Sequence, residues 1–183
     1  MHAPLARLSR VAPLALVTAM LAGCGPGKNE FAPPCPRQSF VQGLSDLTRH
    51  RPNSSGQDLT EMLIQGRLLS LKGECKLADK KSLRVEVTVT IQAEFLRGPA
   101  MPAGQTDVPV FLAVTEGDTV LDKQIFPVQV TFPPNVDRVV MTSPEVMMVL
   151  PTTAGKSPAA FGIVAGFQLT PDELAASRHR APR

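Results

Sequence analysis

The chain has no tryptophan and no tyrosine; its 8 phenylalanines are its only aromatic residues. Sugar- and nucleobase-binding proteins usually offer indole or phenol faces, so both ligand classes are disfavoured. Histidine is scarce: past His2 the chain holds only His50 and His179. His50 falls in a charged loop and His179 in the tail. Neither accompanies a Gly-x-Ser-x-Gly elbow or a reactive cysteine, so no nucleophile–base set is legible. Long apolar runs are missing as well. A spanning helix needs roughly 20 apolar residues, and the run from Val11 to Leu21 is about half that and contains Pro13.

What is present begins at the amino end. Arg7 and Arg10 precede the apolar run, and small residues then lead to a cysteine. This is the charged, apolar, small-residue order of a secretory signal. Its close, Leu21-Ala22-Gly23-Cys24, resembles the lipobox of bacterial lipoproteins. In that family the cysteine sulfur receives diacylglycerol, the preceding peptide is removed, and the new amino end is acylated. The resemblance makes residues 1–23 a cleaved signal, Cys24 the lipidated first residue, and 24–36 a lipidated terminus with a flexible tether. Residues 37–183 are then the domain, long enough for one core.

That address changes how charge and cysteine are read. The formal charge is +3, but Arg7 and Arg10 leave with the signal, so 17 of the 19 basic residues remain against 16 acidic ones. A near-neutral mature chain gives no electrostatic case for nucleic acid. Of three cysteines, lipidation of Cys24 leaves Cys35 and Cys75. In an oxidising compartment they form the only intramolecular disulfide available. Zinc would need further Cys or His at short spacing, which neither cysteine has. Gly25 to Pro36 offers little that can pack, and such a tether extends at most about 35–40 Å.

Gln38–Thr48, with Phe40, Val41, Leu44 and Leu47, fits either a short helix or an irregular strand. Leu59–Leu71 reads as a strand with a bulge at Gly66. From Leu83 to Phe95, Leu83, Val85, Val87, Val89, Ile91, Ala93 and Phe95 alternate with polar residues. Period two over that length predicts a strand with one face buried, and the longest of the sheet. Val108–Val114 is apolar on both faces and predicts a central strand. Glu116-Gly117-Asp118 is a hairpin turn. Phe126, Val128, Val130 and Phe132 alternate again, with Pro127 marking an edge or a bulge. Val139–Leu150 is extended but broken at Pro144, and Phe161–Leu169 is the last strand. Thr170-Pro171-Asp172-Glu173 carries the signature of a helix start, with Thr170 as cap and Glu173 returning a bond. About seven strands and one short C-terminal helix predict an antiparallel β-sandwich, immunoglobulin-like in order, with a small β-barrel as the alternative.

Cys35-Pro36, Asp58-Leu59-Thr60, Gly73-x-Cys75, Arg97-Gly98-Pro99 and Gly166-Phe167-Gln168-Leu169-Thr170 together resemble a group of small envelope lipoproteins of Alphaproteobacteria. The likeness spans most of the chain after Cys24. It implies a Gram-negative cell envelope and transfers no catalytic or binding residue. Among Gram-negative lipoproteins, an aspartate just after the lipidated cysteine favours retention at the inner membrane. Gly25 holds that position here, which implies the outer membrane, facing the periplasm.

The remaining chemistry has plain explanations. Glu116 and Asp118 belong to the turn, and Asp172 and Glu173 to the helix start. Asp118 and Asp122 fit no calcium loop. Met141, Met147 and Met148 are soft ligands in principle, but an apolar strand uses methionine as filling. Lys76, Lys80 and Lys81 form a basic turn that is either solvated or near lipid phosphates. Gly98–Gly104 lacks the lysine and helix of a phosphate cradle. The expectation is a non-enzymatic envelope lipoprotein with no cofactor and no metal site, held to the membrane through Cys24, with a protein partner and no nucleic acid. The alternative is a small-ligand or metal carrier at the same membrane. A long unpaired sheet edge favours the first, an internal cavity the second.

Overall fold

Nine strands, one α-helix and two short 3-10 turns (Leu59–Glu61 and Pro158–Ala160) are found in the computed structural model among the residues it describes, which are 35–52, 58–79, 84–102, 104–152 and 156–179. All of them belong to one compact unit, Ala32–Arg183. Cys24, the expected signal before it, the expected tether up to residue 34, and Lys80, Lys81 and Leu83 lie outside the described residues.

The alternating segment forms β4, Arg84–Arg97, with Val85, Val87, Val89, Ile91, Ala93 and Phe95 all buried. It pairs antiparallel with β3, Met62–Asp79, which at 18 residues exceeds the 14 of β4. The expectation that the β4 segment would be longest is therefore corrected. The polar run Lys72–Asp79 continues β3 because its partner strand supplies a ladder that composition alone does not reveal. Lys76, expected in a turn, lies within β3 for the same reason. The bulge is also displaced: register shifts between Leu68 and Ser70, not at Gly66. Gly66 instead makes room, since a Cβ there would lie 2.9 Å from the Phe95 ring and 3.0 Å from that of Phe167. Those rings meet edge to face at 6.1 Å in the centre of the core.

Gln38–Thr48 resolves into two strands, β1 (Arg37–Phe40) and β2 (Asp46–His50), turned at Gly43 with φ 79°. His50 thus ends a strand rather than sitting in a loop. β5, Gln105–Glu116, is buried on both faces from Val110 to Val114, as its sequence predicts. A turn at Gly117 and Asp118 leads to β6, Thr119–Thr131. Beyond it come β7 (Arg138–Thr142), β8 (Val146–Leu150) and β9 (Gly162–Phe167), then α1 (Pro171–His179). One sheet runs β1-β9-β5-β6; the other runs β2-β3-β4-β7, with β8 also on β4. All pairings are antiparallel except β1 with β9. The two sheets enclose one core in which the β4 valines meet Val108, Val110, Leu112 and Val114 of β5. Full burial of each such valine contributes about 1.5–2 kcal/mol. The sandwich with a short C-terminal helix expected from the sequence is the fold observed.

The break between β7 and β8 has a specific remedy. Pro144 forces its neighbour Ser143 to stay extended and ends the ladder. Ser143 donates its N–H to the Ile91 carbonyl at 2.8 Å, while its hydroxyl accepts the Ile91 N–H at 3.0 Å and donates to the Pro144 carbonyl at 2.9 Å. Ser143 is the one buried polar residue among those described. Ser143→Ala would strand the Ile91 amide, so a loss of about 2 kcal/mol in unfolding free energy is expected. Urea denaturation, with Ser143→Thr as the variant that retains the hydroxyl, checks it.

Candidate functional site

The outer face of the second sheet carries a row of charges across its strands. Asp46 of β2 stands opposite Arg67 of β3, Arg67 opposite Glu94 of β4, and Arg138 reaches Glu94 from β7. Arg67 Nε donates to Asp46 Oδ1 at 2.9 Å, and Arg138 donates to Glu94 Oε2 at 2.7 Å. The hydrogen bond that Arg67 donates to Asp46, then the charge of Asp46, then that of Glu94 hold the Arg67 guanidinium above its ordinary pKa. A recess of ≈ 170 Å³ lies here, lined by these four residues with Gln65, Gly66 and Leu96. Its charges are already matched to one another, which is the arrangement of a solvated sheet face.

A second recess, ≈ 160 Å³, lies where β2 and β3 meet the segment after Gly98, with Arg49, Met101 and Thr106 on its wall. Arg49 is tied down from the helix. Its Nε donates to Glu173 Oε1 at 2.7 Å, and the other Glu173 oxygen accepts the Thr170 N–H at 2.8 Å. The Thr170 hydroxyl accepts the Glu173 N–H at 3.2 Å. The capping box read from the sequence is therefore formed, and its carboxylate also fastens α1 to β2 across 124 positions of chain. Glu173→Ala is expected to cost about 2 kcal/mol and Glu173→Gln about half that, measured by urea denaturation.

Several residues singled out in the sequence are not brought together. Met141 and Met148 face the core from β7 and β8, opposite Ala93 and Val87 of β4. Six residues of strand separate those positions, about 20 Å. Met147 points to the other face and is 56% exposed. Asp118 sits in the hairpin turn and Asp122 on β6 opposite Val114. His50 ends β2 and His179 ends α1. Among the described residues no group of three or more His, Cys, Asp or Glu is placed to hold a metal ion, and no helix is long and apolar enough to cross a membrane. Gly98 packs against the Met62 backbone.

Cys35 and Cys75 are joined, with Cα atoms 5.7 Å apart. The bond fastens the residue just ahead of β1 to the far half of β3, and so ties the two sheets together at that end.

The predicted edge at Pro127 is also found. β6 pairs only with β5, and no register shift occurs at Pro127. Pro127 lies opposite Pro109, whose carbonyl accepts the Gln168 N–H at 2.9 Å on the β9 side. A strand residue directs its N and C=O the same way, so Pro109 faces β9 and Pro127 faces the open side. The two prolines thus cost the β5–β6 ladder no bond, and the outward edge of β6 lacks a donor at its middle. Gln129 and Thr131 are exposed beside it, while Val128 and Val130 are buried.

In comparisons with protein families, curated proteins and solved structures, no match was found. Among the described residues the site therefore rests on the two recesses above, the guarded edge of β6, and the disulfide that joins Cys35 to β3.

Proposed function

We propose that this protein is a non-enzymatic lipoprotein of the Gram-negative envelope: a domain tethered through lipid on Cys24, facing the periplasm from the outer membrane, and acting by contact with another envelope protein. The observation that carries the proposal is the order Arg7, Arg10, apolar run, Leu21-Ala22-Gly23-Cys24, followed at Cys35 by a cysteine bonded to Cys75. The disulfide suits an exported chain. Its position supports a short tether, since ten residues lie between Cys24 and Cys35 and span about 35 Å at most. A domain held that close meets neighbours on the same membrane at high effective concentration.

Cys24→Ser is expected to abolish incorporation of labelled fatty acid and to move the protein out of the membrane fraction. Label retained in that variant sinks the anchor. Contact is tested separately with a photocrosslinking residue at Gln129 or Thr131, and at buried Val130 as control. A specific adduct from the exposed positions alone is expected in intact cells. No adduct, together with a stoichiometric small molecule or metal in the purified protein, would replace contact with carriage.

A further inference from the structure

β3 has a second edge that differs from that of β6. β2 pairs with β3 only from Met62 to Arg67, and the Leu68 N–H is taken by Ser45. From Leu69 to Leu77 the side of β3 away from β4 has no strand partner among the described residues. The sequence there is Leu-Ser-Leu-Lys-Gly-Glu-Cys-Lys-Leu, with no proline. Leu69 is 45% and Leu77 39% exposed. Cys35 and the Gln38 side chain lie against Cys75 and Gly73 on the core side of this stretch, but no described residue bonds its outward backbone groups. An unpaired edge of this length is a template for another strand unless its side chains forbid it.

The side chains forbid most partners and fit one. Elsewhere on this sheet face charge is matched across strands: Asp46 with Arg67, Glu94 with Arg138, and Lys76 opposite Glu86. Lys72 and Glu74 instead stand opposite Thr90 and Thr88, and neither has an ion-pair partner among the described residues. Consider the same edge from a second copy, antiparallel and centred on Gly73. Lys72 then faces Glu74 of the other copy, and Glu74 faces its Lys72. Ser70 meets Lys76, and on the core side Leu71 meets Cys75. A shift of two residues one way sets Lys72 against Lys72; the other way it sets Glu74 against Glu74 and Lys72 against Lys76. A shift of one puts outward residues on the inward face. A register centred on Cys75 sets Glu74 against Lys76, which already stands opposite Glu86, and leaves Lys72 without a partner. The Gly73-centred register alone pairs both unmatched charges, and an antiparallel pair about one point is the isologous contact of a twofold dimer.

We propose that the Leu69–Leu77 edge of β3 binds the same edge of a second copy, joining two sheets into one across a twofold axis. The pairing does not depend on Cys24, so it stands or falls apart from the lipid anchor.

Light scattering of the purified full-length protein in mild detergent, across a concentration series, tests it. The native protein should show a dimer. Lys72→Glu and Glu74→Lys should each weaken that dimer roughly tenfold or more, because each turns two attractive contacts into repulsive ones. Melting curves like the native one would show that both fold. The two single variants, mixed, should dimerise with each other, since every 72–74 contact between them is again of opposite sign. The double variant Lys72→Glu/Glu74→Lys should dimerise with itself. A native protein that stays monomeric, a dimer indifferent to both reversals, or single variants that remain apart when mixed would each overturn the proposal.

Discussion

Replacing Cys35 and Cys75 together by serine is expected to lower the unfolding free energy by about 4 kcal/mol, the chain-entropy value for a closed loop of about 40 residues. The bond spans 40 positions, so the unfolded chain without it regains the freedom of that whole loop. The native state is affected locally as well. β1 has only four residues, makes the one parallel pairing among the described residues, and lies at the edge of its sheet. Its hold on β9 is the ladder Arg37–Phe40, extended by the Val41 N–H to the Ala165 carbonyl at 2.9 Å. Without the disulfide this strand should open first, ahead of global unfolding. Urea denaturation measures the whole effect, and hydrogen exchange should show faster exchange in β1 than in β5 or β9. Reductant should destabilise the native protein and leave the double variant unchanged. In the folded native protein, Cys35 and Cys75 should resist alkylation until reductant is added. Alkylation without reductant would contradict the bond.

The parts of the fold that were legible in the sequence are those fixed by periodicity or by local chemistry. Val85 to Phe95 alternates because one face of β4 is buried, and the structure buries those residues. Val108 to Val114 shows no alternation because β5 is covered on both sides. Thr170 and Glu173 are three positions apart, and a capping box needs nothing more distant. Pro127 lacks a donor wherever it sits, so an edge could be inferred without knowing its neighbour.

What escaped the reading depends on partners far away in the chain. The second half of β3 looks like a polar loop until its register with β4 is known. Gly66 suggested a bulge because a glycine in a strand has two common uses, and only the Phe95 and Phe167 rings decide between them. The Arg49–Glu173 bond joins residues 124 positions apart, with no local signature at Arg49. The charge row was not legible either, since the opposition of Arg67 and Glu94 is a matter of register. The Lys72–Gly73–Glu74 palindrome of charge is present in the sequence, yet it becomes meaningful only once that stretch is seen to be a strand with an open side.

Gly98→Ala should destabilise the domain by about 3–5 kcal/mol, through crowding and lost hydrogen bonds. A Cβ at this position would lie 2.0 Å from the Met62 carbonyl oxygen and 2.5 Å from its carbon. Neither atom can rotate away, because both are backbone. The same carbonyl accepts the Ala100 N–H at 3.0 Å, and the Gly98 N–H donates to the Leu63 carbonyl at 2.8 Å. Relief of the overlap therefore separates the end of β4 from the start of β3 and loosens Met101, which belongs to the core. Gly117→Ala is the informative contrast. That glycine has φ 55° and open space around it, so its cost is backbone strain alone, about 1 kcal/mol. If Gly98 mattered only for flexibility, the two variants would lose similar stability in urea. A Gly98→Ala loss several times that of Gly117→Ala is the expected result, and equal losses would show that the β3–β4 junction does not require the close approach.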